Sequence, residues 1–201
     1  MWIDKVETYI LNIVGLQSRS TKKQLMKICR NVQFCESFQY NIIKYNNTPA
    51  LEISLPKQQL PYFISFLSFY QISIYQILSS RNTYILLDSG QYYSSSKRFN
   101  LCIDGLQDAF IKDKVIDIMT YFSNQYDLTY TLNNNYASVC CKPEIFSKLI
   151  QFIACRNIDI LSATYKARAL HNARISQNTK RVETKCFDPF SILFFVIFIK
   201  Y

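Results

Sequence analysis

Apolar residues recur along the chain at two spacings, and these predict alternating helices and strands. Spacings of three and four residues are typical of one-sided helices, and short apolar runs bounded by turn residues are typical of strands. The predicted helices cover residues 3–15, 21–32, 57–69, 106–122 and 143–154. The predicted strands and hairpins cover residues 38–55, 72–78, 82–90, 97–105, 127–142 and 157–161.

The order helix, hairpin, helix, strand occurs twice, near residues 21–78 and near residues 106–161. Alternating elements of this kind predict the α/β (α+β) class, here as two small α/β modules with mixed sheets. Residue identity between the halves is poor. The preferred interpretation is therefore two common modules, and an internal duplication is the alternative.

The charge of the chain indicates a polyanionic partner. Its 201 residues carry a net charge of +9, and 49% of them are hydrophobic, which is enough for a core. One basic group lies on the early helices and a second near the C-terminus. The first group is Arg19, Lys22, Lys23, Lys27 and Arg30, and the second is Arg156, Lys166, Arg168, Arg174, Lys180, Arg181 and Lys185.

The residues offer little for catalysis or for a cofactor. The one histidine, His171, lies in a basic polar segment without a nucleophile beside it. Asp104 and Asp108 stand near a predicted helix start, where carboxylates favour the helix dipole. Seven cysteines contain no C-x2-C pair, and the adjacent Cys140 and Cys141 face opposite sides of a strand. We therefore expect no enzyme, no metal site and no cofactor.

The segment "ILSATYKARALHNAR", residues 160–174, resembles a ribosomal protein family. In small-subunit ribosomal protein eight of the bacterial type, a helix leads to a strand reading I-L-S-T-S, a loop ending in Ala-Arg and a strand with Glu-x-x-Cys. This chain has "PEIFSKLIQFI", "IDILSAT", "NAR" and "ETKC". The residues that fall on family positions are Ser162, Thr164, Ala173, Arg174, Glu183 and Cys186.

The N-terminal part resembles the same family more weakly, through "IDKVETYILNI" and the helix and hairpin after Lys22. There are departures. Ala163 replaces the middle threonine of the strand motif, Lys166 replaces a glycine, and Asn12 and Val14 stand where the family has RNA-contacting arginines. The resemblance therefore implies the fold and the partner more strongly than any single contact.

The resemblance also implies a division of the chain. It predicts an N-terminal α/β module at residues 1–55, an insertion at 56–126 and an RNA-binding module at 127–187. An apolar tail follows at 188–201. We expect the insertion, with its aromatic segment "LPYFISFLSFYQ", and the tail to contact neighbouring proteins, since both are rich in apolar residues.

The function implied is that of a structural, rRNA-binding constituent of the mitochondrial small ribosomal subunit. Its partners would be the central domain of small-subunit rRNA and neighbouring ribosomal proteins, with no DNA, no small-molecule substrate and no membrane. A composition typical of an AT-rich genome, with no visible targeting peptide, predicts synthesis inside the organelle. The predicted RNA-binding residues are Ser162, Thr164, Tyr165, Lys166, Arg168, Arg174, Lys22, Lys23 and Lys27.

Two other functions remain open at this point. A diverged LAGLIDADG-type homing endonuclease or maturase shares the basic charge and paired α/β halves, but it needs an acidic residue at the end of each interface helix. Asp104 offers one such residue, without a convincing second. An accessory subunit of an organellar membrane complex is suggested by the apolar tail, which is shorter than the ~20 residues of a membrane-spanning helix.

Overall fold

A computed structural model describes residues 5–45, 47–80, 86 and 95–165. The strands are β1 (Val6–Ile13), β2 (Gln39–Tyr45), β3 (Thr48–Pro56), β4 (Ile74–Ser79), β5 (Lys97–Ile103), β6 (Thr129–Leu132), β7 (Tyr136–Cys141) and β8 (Ile160–Tyr165). The helices are α1 (Arg19–Arg30), α2 (Leu60–Phe69), α3 (Ala109–Gln125) and α4 (Pro143–Ala154), and a 3-10 turn at Lys57–Gln59 precedes α2.

The eight strands form one antiparallel sheet in the order β2-β3-β1-β4-β8-β5-β7-β6. The sheet divides into two halves with the same β-α-β-β-α-β connectivity, the ferredoxin-like or split βαβ arrangement. We call residues 6–79 the first module and residues 97–165 the second module. The modules meet where β4 pairs with β8 at Ile77 and Ala163.

The predicted α/β class is confirmed, and its mixed sheets are corrected to this single antiparallel sheet. The predicted helix at residues 3–15 is also wrong, because residues 6–13 form β1. β1 pairs with β3 on one side and β4 on the other, so it is an inner strand with apolar residues facing both ways. Its buried apolar residues, which include Ile10, Leu11 and Ile13, also fit the residue spacing of a helix.

The first strand and first helix of each module are joined by the same kind of turn. The turn reads Gly-Leu-Gln-Ser from Gly15 in the first module and Gly-Leu-Gln-Asp from Gly105 in the second. The two glycines have φ angles of 70° and 68°, a left-handed conformation that favours glycine. Ser18 caps α1 through the Thr21 amide, 3.0 Å away, so the helix begins earlier than the predicted Ser20–Thr21 start. This repeated turn favours an internal duplication.

All four helices pack on one face of the sheet, which we call the helical face. The core lies between them and alternate strand residues, such as Leu11, Leu51, Phe99 and Val139. The rings of Phe99 and Phe146 stack with their centres 4.0 Å apart. The opposite face, which we call the far face, carries the intervening strand residues. One core therefore runs under both modules.

The segment predicted as an insertion supplies the middle of this architecture. Residues 56–126 contain α2, β4, β5 and α3, and β4 and β5 lie on either side of β8 in the sheet. Whether the segment is an insertion relative to another family stays a prediction. The predicted strand at 82–90, apart from Leu86, and the tail at 188–201 lie outside the described residues.

Candidate nucleic-acid interface

The exposed side of α1 is a continuous basic stripe. Its cations occupy positions i, i+3, i+4, i+8 and i+11 of the helix, which lie on one side of it. They are Arg19, Lys22, Lys23, Lys27 and Arg30, and α1 contains no acidic residue. The buried residues Leu25, Ile28 and Cys29 hold the opposite side against the sheet. The sequence therefore fixes which way the cations point.

The stripe is about 16 Å long at the 1.5 Å rise of a helix. Lys22 is half-buried and the other four cations are exposed. None of the five forms an ion pair within the part of the chain that the structure describes. Lys27 and Arg30 lie in the last turn, where the helix dipole favours positive charge. The stripe thus leaves its cations free to meet an external anion.

Three of the predicted residues near the C-terminus lie in the last strand that the structure describes. Ser162, Thr164 and Tyr165 belong to β8, which is an inner strand between β4 and β5. Whether these three residues contact RNA stays a prediction. The strand predicted at residues 157–161 begins and ends too early. β8 extends to Tyr165 because β5 pairs with it that far. Lys166, Arg168 and Arg174 lie outside the described residues.

Ser162 and Thr164 face polar neighbours on the far face. Register places Ser162 opposite Cys102 and Thr164 opposite Asn100 on β5. Burial raises the pKa of the Cys102 thiol, the charge of Asp104 adds to this rise, and a hydrogen bond from Ser162 opposes it. The Thr164 hydroxyl donates to the Asn100 carbonyl oxygen at 3.5 Å. Ser162 and Thr164 themselves are therefore uncharged, half-buried members of the far face.

Tyr165 turns the other way, towards the aromatic core. Its ring centre is 6.0 Å from that of Phe99, and the Lys97 ammonium lies 5.7 Å from the tyrosine ring. The two predicted groups are therefore not one site: the α1 cations lie on the helical side of the sheet, and Ser162 and Thr164 point to the far face. Of the two groups, only the α1 group is strongly charged among the described residues.

Sequence reasoning missed a second cationic surface, between α3 and the end of α4. A cavity of about 660 Å³, which we call the α3–α4 groove, is lined by Lys114, Asp117, Ile118, Tyr121, Phe152, Arg156 and Asn157. The α3 members follow the spacing i, i+3, i+4, i+7, and this periodicity was the available signal. A neighbouring cavity of about 680 Å³, the α2–α4 cavity, has no charged residue among the described residues that line it.

Metal binding, cysteine chemistry, an endonuclease site and a membrane span would each need particular features among the described residues. No group of three or more metal-ligating side chains occurs among them. Six cysteines in these ranges are free thiols, with Cys141 in the core and Cys140 on the far face, as the alternation predicted. Asp104 follows β5 instead of standing at a helix end. No helix among the described residues is long and apolar enough to cross a membrane.

A comparison with known protein families finds no family that matches this chain, and a search of the curated proteins finds no matching relative.

Proposed function

We propose that this chain is an rRNA-binding structural subunit of a mitochondrial small ribosomal subunit, contacting the central domain of the small-subunit rRNA. The observation that carries the RNA-binding part is the basic stripe of α1. The resemblance to small-subunit ribosomal protein eight supports the particular ribosomal role. Its segments include "PEIFSKLIQFI" and "IDILSAT".

A helix of this kind binds RNA through its phosphates. Cationic side chains make charge-assisted hydrogen bonds to phosphate oxygens, and condensed counterions are released into solution. Such contacts fix the register of the protein on the RNA without reading its bases. The five cations of the α1 stripe lie on one helix of the first module. They can therefore contact a phosphate backbone together.

Neighbouring ribosomal proteins are the second class of partner in this proposal. Around the α2–α4 cavity, Phe34, Tyr62, Phe69 and Tyr70 are each more than a third exposed, and Phe69 reaches 79%. Uncharged aromatic surfaces of this kind are typical of protein–protein interface centres. The expectation that "LPYFISFLSFYQ" contacts proteins rather than rRNA stays part of the proposal.

The salt dependence of RNA binding tests the stripe. The variant K23Q/K27Q removes two exposed cations from α1, and K112Q/K142Q removes two exposed cations from the second module. Both variants lower the net charge equally. We expect K23Q/K27Q to reduce the slope of log affinity against log salt by about two for a central-domain rRNA fragment. The control should keep the parent slope.

Filter binding of the full chain between low and physiological salt gives these slopes, and circular dichroism checks that both variants fold. Equal slopes for both variants would show that α1 does not contact the RNA phosphates. The ribosomal assignment has its own measurement, which is sedimentation of the tagged protein from mitochondrial extract. Failure to co-sediment with small subunits would contradict the ribosomal role even if RNA binding persists.

A further inference from the structure

We propose that the α3–α4 groove binds an unpaired nucleotide of single-stranded RNA, with its base stacked on Tyr121. This inference rests on the proposed RNA-binding function and adds a second site to it, on the other module from α1. The groove combines an exposed aromatic surface, two cations and one carboxylate in a cavity of about 660 Å³. That combination suits a nucleotide, which presents a flat base beside a phosphate.

The aromatic floor of the groove is held in place before any ligand arrives. The rings of Tyr121 and Phe152 are parallel within 4°, and their centres are 5.5 Å apart. The buried ring of Phe122 meets both edge-on, 5.8 Å from Tyr121 and 5.3 Å from Phe152. Tyr121 nevertheless stays 47% exposed. A base that stacks on Tyr121 would extend an existing stack without reordering it.

Two cations stand beside this floor. The guanidinium carbon of Arg156 lies over the Phe152 ring, 3.5 Å from its centre, so this cation contacts the aromatic pair directly. The ammonium of Lys114 is 4.1 Å from the centre of the exposed Phe110 ring, one turn away on α3. Both side chains line the groove, and both charges suit phosphates on either side of a stacked base.

Among the described residues that line the groove, Asp117 is the acidic one. A carboxylate repels phosphate but accepts hydrogen bonds from exocyclic amino groups of bases. It therefore favours adenine, cytosine or guanine over uracil in the groove.

The charge of the lining favours RNA over a protein segment here. The neighbouring α2–α4 cavity is built from uncharged residues, such as Phe34, Tyr62 and Phe69, and suits an apolar partner surface. The α3–α4 groove has two cations against one anion. A protein segment that bound here would have to be acidic to match this charge.

Binding of a fluorescently labelled, single-stranded adenosine hexanucleotide to the full chain tests the proposal. Replacing Tyr121 with alanine should weaken this binding by about 5-fold to 150-fold, the range that stacking of one base contributes. Y121W keeps an aromatic face and should restore the affinity. The control is Y136A, since Tyr136 is a comparably exposed tyrosine, at 41%, outside the groove.

A second, duplex RNA probe separates this proposal from the proposed function. We expect K23Q/K27Q to weaken duplex binding and Y121A to leave it within about twofold. Duplex binding without any hexamer binding would overturn the groove and leave the α1 proposal standing. If the unmodified protein binds neither the hexanucleotide nor the duplex, both proposals are overturned.

Two further results would also overturn the groove. One is hexamer binding that Y121A and R156Q leave unchanged. The other is a photo-crosslinker at position 121 that, in intact small subunits, captures only protein, which would show that the groove docks a neighbouring chain. Crosslinks from position 121 to single-stranded rRNA, and a weaker affinity for a uridine than for an adenosine hexamer, would support the proposal.

Discussion

The two modules share a scaffold but differ in what their helices expose. α1 of the first module carries five cations on one side and no acidic residue. α3 occupies the same place in the second module, yet its surface mixes Lys112, Asp113, Lys114 and Asp117 with exposed aromatic rings. The scaffold residues, which are the turn glycines, the caps and the core, are retained in both. The difference indicates that each module has acquired its own surface chemistry.

The far face shows a related contrast between the modules. In the first module, the amides of Asn12 and Gln76 are fully buried and bond to each other at 2.9 Å. At the corresponding place in the second module, Cys102 stands opposite Ser162, and both are half-buried. A buried amide pair is costly to break because each amide would lose its partner away from water. Breaking the contact at this position should therefore cost the first module more stability than the second.

The largest predicted effect concerns whether the modules unfold separately. Phe99 is fully buried and stacks on Phe146 in the second module. Replacing it with alanine should lower the free energy of unfolding by about 3–5 kcal/mol, the usual cost of a buried Phe→Ala cavity. Because both modules share one sheet and one core, we expect a single urea transition by fluorescence and by circular dichroism.

The matched control is F110A, since Phe110 is 65% exposed. It should change the free energy of unfolding by no more than about 0.5 kcal/mol. Two separate transitions in F99A, of which only one is shifted, would contradict the shared core. In that case the modules would be independent domains that happen to lie in one sheet.

The second prediction is that the two turn glycines contribute equally to stability, because the same turn occurs in both modules. Gly15→Ala and Gly105→Ala place a side chain at φ angles near 70°, a strain of about 1–2 kcal/mol. A new Cβ would meet the nearest atom at 3.5 Å in both cases, so neither position adds a clash. Thermal unfolding of the two variants should therefore show the same loss of stability, within about 0.5 kcal/mol.

Asparagine tolerates the left-handed region, so G15N and G105N should each recover part of the loss. Unequal losses would show that the two turns only look alike. A loss at Gly105 alone, for example, would mean that the first-module turn relaxes and the repeat is not structural.

Most elements could be predicted from the sequence, because their signals are local. The hairpins, α2 and α4 follow from turn residues, prolines and apolar spacing, and α4 begins at Pro143 as predicted. β1 could not be predicted this way, because a strand that is buried on both faces does not alternate between apolar and polar residues. The repeated order of elements was visible in the sequence, but its origin in a duplication was not the preferred interpretation, because residue identity between the halves is low. The shared residue signal is only the Gly-Leu-Gln turn and the following cap.

The candidate sites divide in the same way. The α1 stripe was predictable, since helix spacing alone places Lys23 and Lys27 on one side. The surroundings of Ser162 and Thr164 could not be predicted in this way, because they depend on which strands flank β8, and that is a long-range property. Helix spacing could place the α3 residues of the α3–α4 groove on one side of that helix. Their partner Phe152 could not be predicted, because Tyr121 and Phe152 meet only through the packing of two helices.

The smallest predicted effect compares one buried thiol in each module. Burial raises the pKa of Cys29 in α1 and of Cys141 in β7 to about 12, from an ordinary value of 9.0. For Cys141, the neighbouring Cys140 and Asp127 add to the rise. A raised pKa means that the folded chain keeps a proton that the unfolded chain has lost. Each thiol therefore stabilises the fold fully below pH 9 and progressively less above it.

At pH 9.5, the loss should be about 0.8 kcal/mol for each thiol relative to neutral pH. Replacing Cys29 or Cys141 with alanine should remove that share of the pH dependence, whatever its cost to stability at neutral pH. C155A is the control, because Cys155 is exposed in the folded chain. Urea titrations of each variant at pH 7.5 and 9.5 measure the difference. An unchanged pH dependence in C141A beside a reduced one in C29A would mean that the second-module core admits water, so that the two modules differ inside as well as on their surfaces.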